Sequence, residues 1–268
     1  MSILTAVVLG VVQGLGEFLP VSSSGHLVLL QKVFGISEQT LFFDTMLHVG
    51  TLFAVVVVLW NDIIAILRRP IQPLTGFLII ATIPAVVAAL VFGDQIEYIF
   101  NTGKFLGVCF LITAVLLCAA EFLSRRISKA DGYKKREKMN WIDALIIGIF
   151  QAIAIPPGIS RSGATISGAL SRRLDRDFAA RFSFLLSIPV ILGALVLNLK
   201  DLAKGRGAAG GLGVEVIAGT LTAAIVGFFA VKLMLKIVRE KSLFGFAVYT
   251  AILGALILLD QFVTHLVF

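Results

Sequence analysis

Two short stretches of this chain carry the side chains that could do chemistry. The first reads Gln13-Gly-Leu-Gly-Glu17-Phe-Leu-Pro20-Val-Ser22-Ser23-Ser24-Gly25-His26, and the second reads Gln151-Ala-Ile-Ala-Ile-Pro156-Pro157-Gly158-Ile-Ser160-Arg161-Ser162-Gly163-Ala-Thr165. A serine cluster that opens a helix leaves hydroxyls and backbone N–H groups pointing one way, and the helix dipole makes that end an anion site. Two such ends facing each other, together with Arg161, suit a doubly anionic group such as a pyrophosphate. Arginine is the fitting cation, because its planar fork pairs with two phosphate oxygens at once.

Several roles follow for the individual residues. Ser23 is a candidate nucleophile, and a serine needs a nearby base at neutral pH. His26 or Glu17 could be that base. His26 sits about one helical turn after Ser23, so both can face the same space. His26 could instead attack through nitrogen, with Glu17 orienting it. Arg161 would stabilise charge developing in the transition state, and Ser22, Ser24, Ser160, Ser162 and Thr165 are candidate phosphate contacts. Structural roles compete with these: Ser22 and Ser160 as helix caps, Glu17 as a neutralised partner of Arg161, and Gln13 and Gln151 as partners for freed backbone groups. Gly25 and Gly163 belong to the supporting set. His48 and His265 read as structural or interfacial, and Asp44, Glu121, Asp143 and Asp260 read as solvated groups near helix ends.

The elements that must hold these residues are membrane helices. Of 268 residues, 58% are hydrophobic and only 15% charged, with a mean hydropathy of +1.00. A soluble domain has about 25% charged residues, so a water-soluble globule and a disordered chain are both excluded. Six runs at 42–60, 75–92, 104–124, 178–198, 213–235 and 243–262 approach the roughly 20 apolar residues that span a bilayer. Two further stretches, 3–33 and 140–170, are apolar but broken by the polar, Gly and Pro residues quoted above. Ionisable groups at such depth are functional hypotheses by default. Non-helical backbone is tolerated there only where it lines protein or a cavity. The fold class is therefore an all-α polytopic membrane protein with six transmembrane helices and two re-entrant helical hairpins.

The net charge of +7 is an orientation signal rather than a mark of nucleic-acid binding, for which no basic, aromatic-interleaved patch exists. Lys and Arg concentrate in cytoplasmic loops. The most basic loop, Ser124–Asn140, is therefore cytoplasmic, and counting outward from it puts Arg68, Arg69, Arg172, Arg173, Arg176 and the 236–242 loop on the same side. Loops 34–41 (with Glu38), 93–103 and 199–212 (with Lys200, Lys204 and Arg206) then lie outside, with both termini. This pattern holds only if 140–170 enters and leaves on one side. The first 33 residues lack the basic start of a signal peptide, the first Lys or Arg being Lys32. Cys109 and Cys118 fall on opposite faces of one helix and read as packing residues.

A shift of 138 residues aligns Gly10-Val-Val-Gln13 with Gly148-Ile-Phe-Gln151, and Ser22-Ser23-Ser24-Gly25 with Ser160-Arg161-Ser162-Gly163. The chain is thus a single membrane domain made of two repeats, about 1–125 and 140–268, joined by the linker 126–139. A returning hairpin plus three crossings inverts the second repeat. Inverted repeats with broken helices place their site near the bilayer midplane where the halves meet, so the two tips, near 20–26 and 157–163, should approach each other.

At these residues the sequence closely resembles the undecaprenyl-pyrophosphate phosphatase family, also known for bacitracin resistance. That family carries an (E/Q)xxxE motif, matched by Gln13 to Glu17, and a PGxSRSxxT motif, matched by Pro157-Gly158-Ile-Ser160-Arg161-Ser162-Gly-Ala-Thr165. Residues 18–26 match as well, and the likeness covers essentially the whole chain. Gln13 stands where many relatives have Glu. The resemblance implies release of the terminal phosphate from undecaprenyl pyrophosphate, recycling the lipid carrier of peptidoglycan synthesis. It implies a divalent cation, Mg2+ or Ca2+, with Glu17 a candidate ligand, and a bacterial inner-membrane location with the active site facing the periplasm. The expected partners are the polyprenyl pyrophosphate substrate and membrane lipids. Gly-rich helices also permit a homodimer. A lipid flippase or secondary transporter of the same architecture is the rival reading. An intramembrane serine protease ranks lower, for want of a G-x-S-x-G elbow.

Overall fold

The computed structural model describes residues 1–36, 41–130, 132–203 and 213–268. Twelve α-helices are described: α1 (Ile3–Gly16), α2 (Ser23–Val33), α3 (Leu41–Val58), α4 (Trp60–Arg68), α5 (Pro73–Val91), α6 (Gly93–Thr102), α7 (Leu106–Ala130), α8 (Trp141–Ile153), α9 (Arg161–Ser171), α10 (Arg176–Ala203), α11 (Val214–Glu240) and α12 (Phe244–Leu259). Helices α5, α7, α10, α11 and α12 are long and apolar enough to cross a membrane, and α3 counts as a sixth when taken with α4, from which it bends by 78°. The six apolar runs are thus found as helices in a multi-pass, all-α membrane protein. Two connections expected as loops are helical, α4 and α6. Their sequences, with Asp62 and Arg68 in one and Asp94 and Glu97 in the other, are too polar to span but still form helices. Glu38, Lys204 and Arg206 lie outside the described residues.

The two broken segments are helix–break–helix hairpins. After α1 the chain leaves helical geometry at Pro20, which offers no N–H to a helix. It restarts at Ser22, whose hydroxyl accepts the Gly25 N–H. Ser22 holds φ at +69°, a left-handed conformation that costs a non-glycine residue about 1–3 kcal/mol. The second hairpin opens with a reciprocal capping box between Asn140 and Asp143. It breaks over Pro156-Pro157-Gly158 and restarts at Ser160, whose hydroxyl accepts the Gly163 N–H. Here the positive φ, +96°, falls on Gly158, which bears it without a Cβ penalty.

The 138-residue shift recurs in the structure. It carries α2 onto α9 end for end, and α1 onto α8 to within one residue. Packing is reciprocal: α1 lies on α11 and α8 lies on α5, while α3 meets α10 and α7 meets α12. The two hairpin crossings are equivalent and equally tight. A Cβ on Gly10 would come 2.5 Å from the Gly219 carbonyl, and one on Gly148 would come 2.6 Å from the Ala81 carbonyl. Ala81 and Gly219 are themselves related by the shift. Small residues bring helix backbones together where lipid removes the hydrophobic drive between helices.

Charged groups gather the loops at two ends. At one end Arg176 bonds Glu121 and the carbonyls of Val238 and Lys241. Arg172 and Lys134 both reach Asp143, and Arg181 reaches Asp62. At the other end Gln261 donates to the Gly103 carbonyl and Lys32 sits over the Phe268 ring. The reading of Asp143 and Glu121 as solvated groups is corrected. Both are buried and ion-paired, Asp143 with Lys134 and Arg172 and Glu121 with Arg125 and Arg176. Asp260 accepts the N–H groups of Leu266, Val267 and Phe268 and so folds the last residues back. Asp44 accepts from Gln31.

Candidate active site

The two tips touch. The Ser22 hydroxyl accepts a second N–H, from Gly158 of the other hairpin, at 3.1 Å, and the Ser162 hydroxyl donates to the Leu19 carbonyl at 3.2 Å. Gly25 faces Gly158 so closely that a Cβ would stand 2.8 Å from its Cα. Thr113 of α7 braces the second tip: its hydroxyl donates to the Gly158 carbonyl and accepts the Ser160 N–H, each at 2.9 Å.

Glu17 lies at the centre of this junction and is buried. One carboxylate oxygen is ion-paired with an Arg161 terminal nitrogen. The other accepts the Ser23 hydroxyl at 2.8 Å and the Gln13 amide at 3.1 Å. Gln13 also donates to His48 Nδ1 at 2.8 Å, which places His48 3.4 Å from Glu17. Arg161 uses its other terminal nitrogen on the Ser183 carbonyl at 3.1 Å. A buried charge without a partner is costly, and each charge of this pair supplies the other's. Neither finds a counter-ion in its own hairpin.

The remaining candidates divide by where their polar atoms go. Ser160 and Ser162 bond each other at 3.2 Å. Thr165 donates to the Arg161 carbonyl at 2.8 Å and pairs with Ser183. All three are buried, so their hydroxyls hold the start of α9 in place. Ser22 is likewise buried and holds the first tip, whereas Ser24 is half-buried and lies 3.4 Å from Ser22. Gln151 donates to the Ala81 carbonyl at 3.1 Å. Gly163 packs on Ser160 and Pro20. His26 turns away from this cluster. Among the described residues its hydrogen bonds run to the Ser22 carbonyl and the Tyr249 hydroxyl, each at 2.7 Å. Glu17, and not His26, is therefore the carboxylate or imidazole that meets the Ser23 hydroxyl.

Across nearly its whole length the chain matches a family model. Residues 6–256 fit the one described as bacitracin resistance protein BacA. The chain belongs to the BacA family. It is 46% identical to a protein of Carboxydothermus hydrogenoformans named undecaprenyl-diphosphatase, over 96% of both chains. It is 46% identical to undecaprenyl-diphosphatase 3 of Bacillus cereus, over 98% of both. An undecaprenyl-diphosphatase of Halothermothrix orenii is 41% identical over 97% of this chain and 98% of its own. In this BacA-family chain three participants escaped the reading by motif: His48, Ser183 and Thr113. Each sits within an apolar helix far from the motifs in sequence, and only the packing of α3, α10 and α7 brings it in. His48, one of few ionisable groups in its helix, was the detectable one. As for a bound ion, no group of three His, Cys, Asp or Glu side chains among the described residues could hold a metal. Both Glu17 oxygens are already engaged, so the residues present do not fit a resident metal site.

Proposed function

We infer that this chain is an undecaprenyl-diphosphatase, which hydrolyses undecaprenyl pyrophosphate to the monophosphate and inorganic phosphate. The names of its relatives support the reaction. The observation that carries the mechanism is the Ser23–Glu17–Arg161 chain of hydrogen bonds at the junction of the tips. The rival flippase or transporter reading is not favoured, since the relatives are named for a phosphatase.

In the mechanism we propose, Ser23 Oγ attacks the terminal phosphorus. Its proton already points at Glu17, which accepts it. The phosphate's arrival at Arg161 competes with Glu17 for the guanidinium and frees the carboxylate for that proton. The P–O bond to the lipid phosphate breaks, Glu17 passes the proton it took to the departing monophosphate, and Ser23 is left phosphorylated. Water then attacks the phosphoserine, with Glu17 taking its proton. Ser23 regains a proton as it leaves, and inorganic phosphate is released. The N–H groups opening α2 and α9, the Ser24 hydroxyl and the rest of the Arg161 fork bind the phosphates. Ser22, Ser160, Ser162 and Thr165 act on this reading by fixing those N-termini.

The basic end of the bundle is cytoplasmic on the positive-inside rule. The first hairpin then enters from the periplasmic side of a bacterial inner membrane, and the second repeat is inverted. A divalent cation arrives with the substrate's phosphates rather than being held by the chain.

The experiment is phosphate release by the purified protein in detergent from a polyprenyl pyrophosphate, with Mg2+, Ca2+ or chelator. Release that stops with Arg161→Ala and falls on chelation supports the reading, and absence of release from the parent protein overturns it. Phosphate trapped on Ser23 supports the assigned nucleophile, and phosphate trapped on His26 replaces it.

A further inference from the structure

We propose that Tyr249 is a positioning residue for His26: the Tyr249 hydroxyl occupies His26 Nε2 in the resting site and gives way there to a P–OH group of the incoming phosphate headgroup. This rests on the phosphatase reading of the site. The argument begins with the other ring nitrogen. His26 Nδ1 lies 2.7 Å from the Ser22 carbonyl, and a carbonyl oxygen can only accept, so Nδ1 carries the proton. In the neutral imidazole Nε2 is then the lone-pair nitrogen. The Tyr249 hydroxyl stands 2.7 Å from it and donates to it.

The ring is held as firmly as the tautomer. Tyr249 lies parallel to His26 within 4°, with centroids 5.7 Å apart, and Phe110 meets it edge-on at 5.2 Å. An aromatic edge contact of this kind contributes about 0.5–1.5 kcal/mol beyond burial. The one atom of His26 able to accept a proton or attack phosphorus is thus covered by a phenol.

That phenol faces outward. Tyr249 sits within the apolar span of α12 and is 46% exposed, so it borders lipid. A pyrophosphate lipid entering sideways from the bilayer meets Tyr249 before it meets His26. Tyr249 and His26 come from opposite repeats, and their equivalents under the 138-residue shift, Leu111 and Ala164, can form no such pair.

The test uses Tyr249→Phe, which keeps the ring and removes only the hydroxyl. Diethyl pyrocarbonate acylates the free lone pair of neutral imidazole, and mapping the digest by mass spectrometry reads each histidine separately. At pH 8 in detergent, His26 should be modified about 3- to 10-fold faster in the Phe variant, the factor that one net hydrogen bond is worth. His48 and His265 should keep their rates. An unchanged His26 rate, or a rise shared by all three histidines, overturns the proposal. A second arm adds a methylene-bridged prenyl bisphosphonate. It should protect His26 at about 3-fold lower concentration or less in the variant, because no hydroxyl has to be displaced. Equal protecting concentrations overturn the displacement step. Protection in neither protein counts against the phosphatase reading itself, a result distinct from an unchanged modification rate.

Discussion

At equivalent places the first hairpin carries Glu17, Ser23 and His26, while the second carries Ile155, Arg161 and Ala164. Even the one polar residue they share in the incoming helix behaves differently. Gln13 turns to Glu17 and His48, whereas Gln151 stays on the Ala81 backbone. The strained turn differs too, falling on Ser22 in the first hairpin and on Gly158 in the second. The comparison separates what a repeat can supply from what it cannot. Two copies of one backbone give two helix N-termini aimed at a common point. The acid and the cation must differ between copies, because like charges facing each other across a low-dielectric junction would repel, and Ser23 occupies the place that Arg161 holds in the second copy.

The sharpest way to break this complementarity is to remove the cation. Arg161→Ala should lower phosphate release by about 10³-fold, since it takes a charge-stabilising donor and strands a buried carboxylate. Denaturation in detergent should show a loss of about 3–5 kcal/mol. The double variant Glu17→Ala/Arg161→Ala should recover part of that stability but none of the activity, and additive losses would show that the two charges are not coupled. Next comes Ser23→Ala, which should cut turnover about 10²- to 10⁴-fold while leaving the unfolding midpoint near that of the parent. A variant that lost stability in step with activity would make Ser23 a structural residue.

The glutamine pair tests the asymmetry directly. Gln13→Ala should reduce release about tenfold, whereas Gln151→Ala should leave it within about twofold. Each should cost about 1 kcal/mol of stability, the usual worth of a hydrogen bond. Equal losses of activity would mean that the two halves share the chemistry. The smallest effect belongs to the caps. Ser160→Ala should cost about 1 kcal/mol. Ser22→Ala should cost somewhat more, because the Gly158 N–H loses its acceptor as well.

Much of this site can be seen in the amino-acid order. Polar residues are rare in this chain, so Gln, Ser and Gly recurring at one fixed shift stand out, and they locate both tips and their meeting. The partner of Ser23 cannot be seen that way. His26 lies one turn after Ser23 and looks well placed, yet Ser22 and Tyr249 draw its ring aside. Glu17, set before the break, is instead folded back by the turn at Pro20 to Ser22. His48, Ser183 and Tyr249 are set by helix packing across the bundle, and the hydropathy of their helices carries no trace of it. The burial of Asp143 and Glu121 escaped for the same reason. A charged residue near a helix end looks solvated until the neighbouring helices are in position.

The reciprocal packing of α1 on α11 and α8 on α5 has a consequence for how the protein is made. The ribosome finishes the first hairpin long before α11 or Arg161 exists. At about 5–20 residues per second, the first hairpin waits roughly ten to forty seconds for its partners. During that interval Glu17 faces the bilayer without its counter-ion, at the cost that any ionisable group incurs there. The first hairpin can therefore reach its buried position with its charge compensated only once Arg161 has been made. A chain cut short before Arg161 leaves Glu17 without its counter-ion.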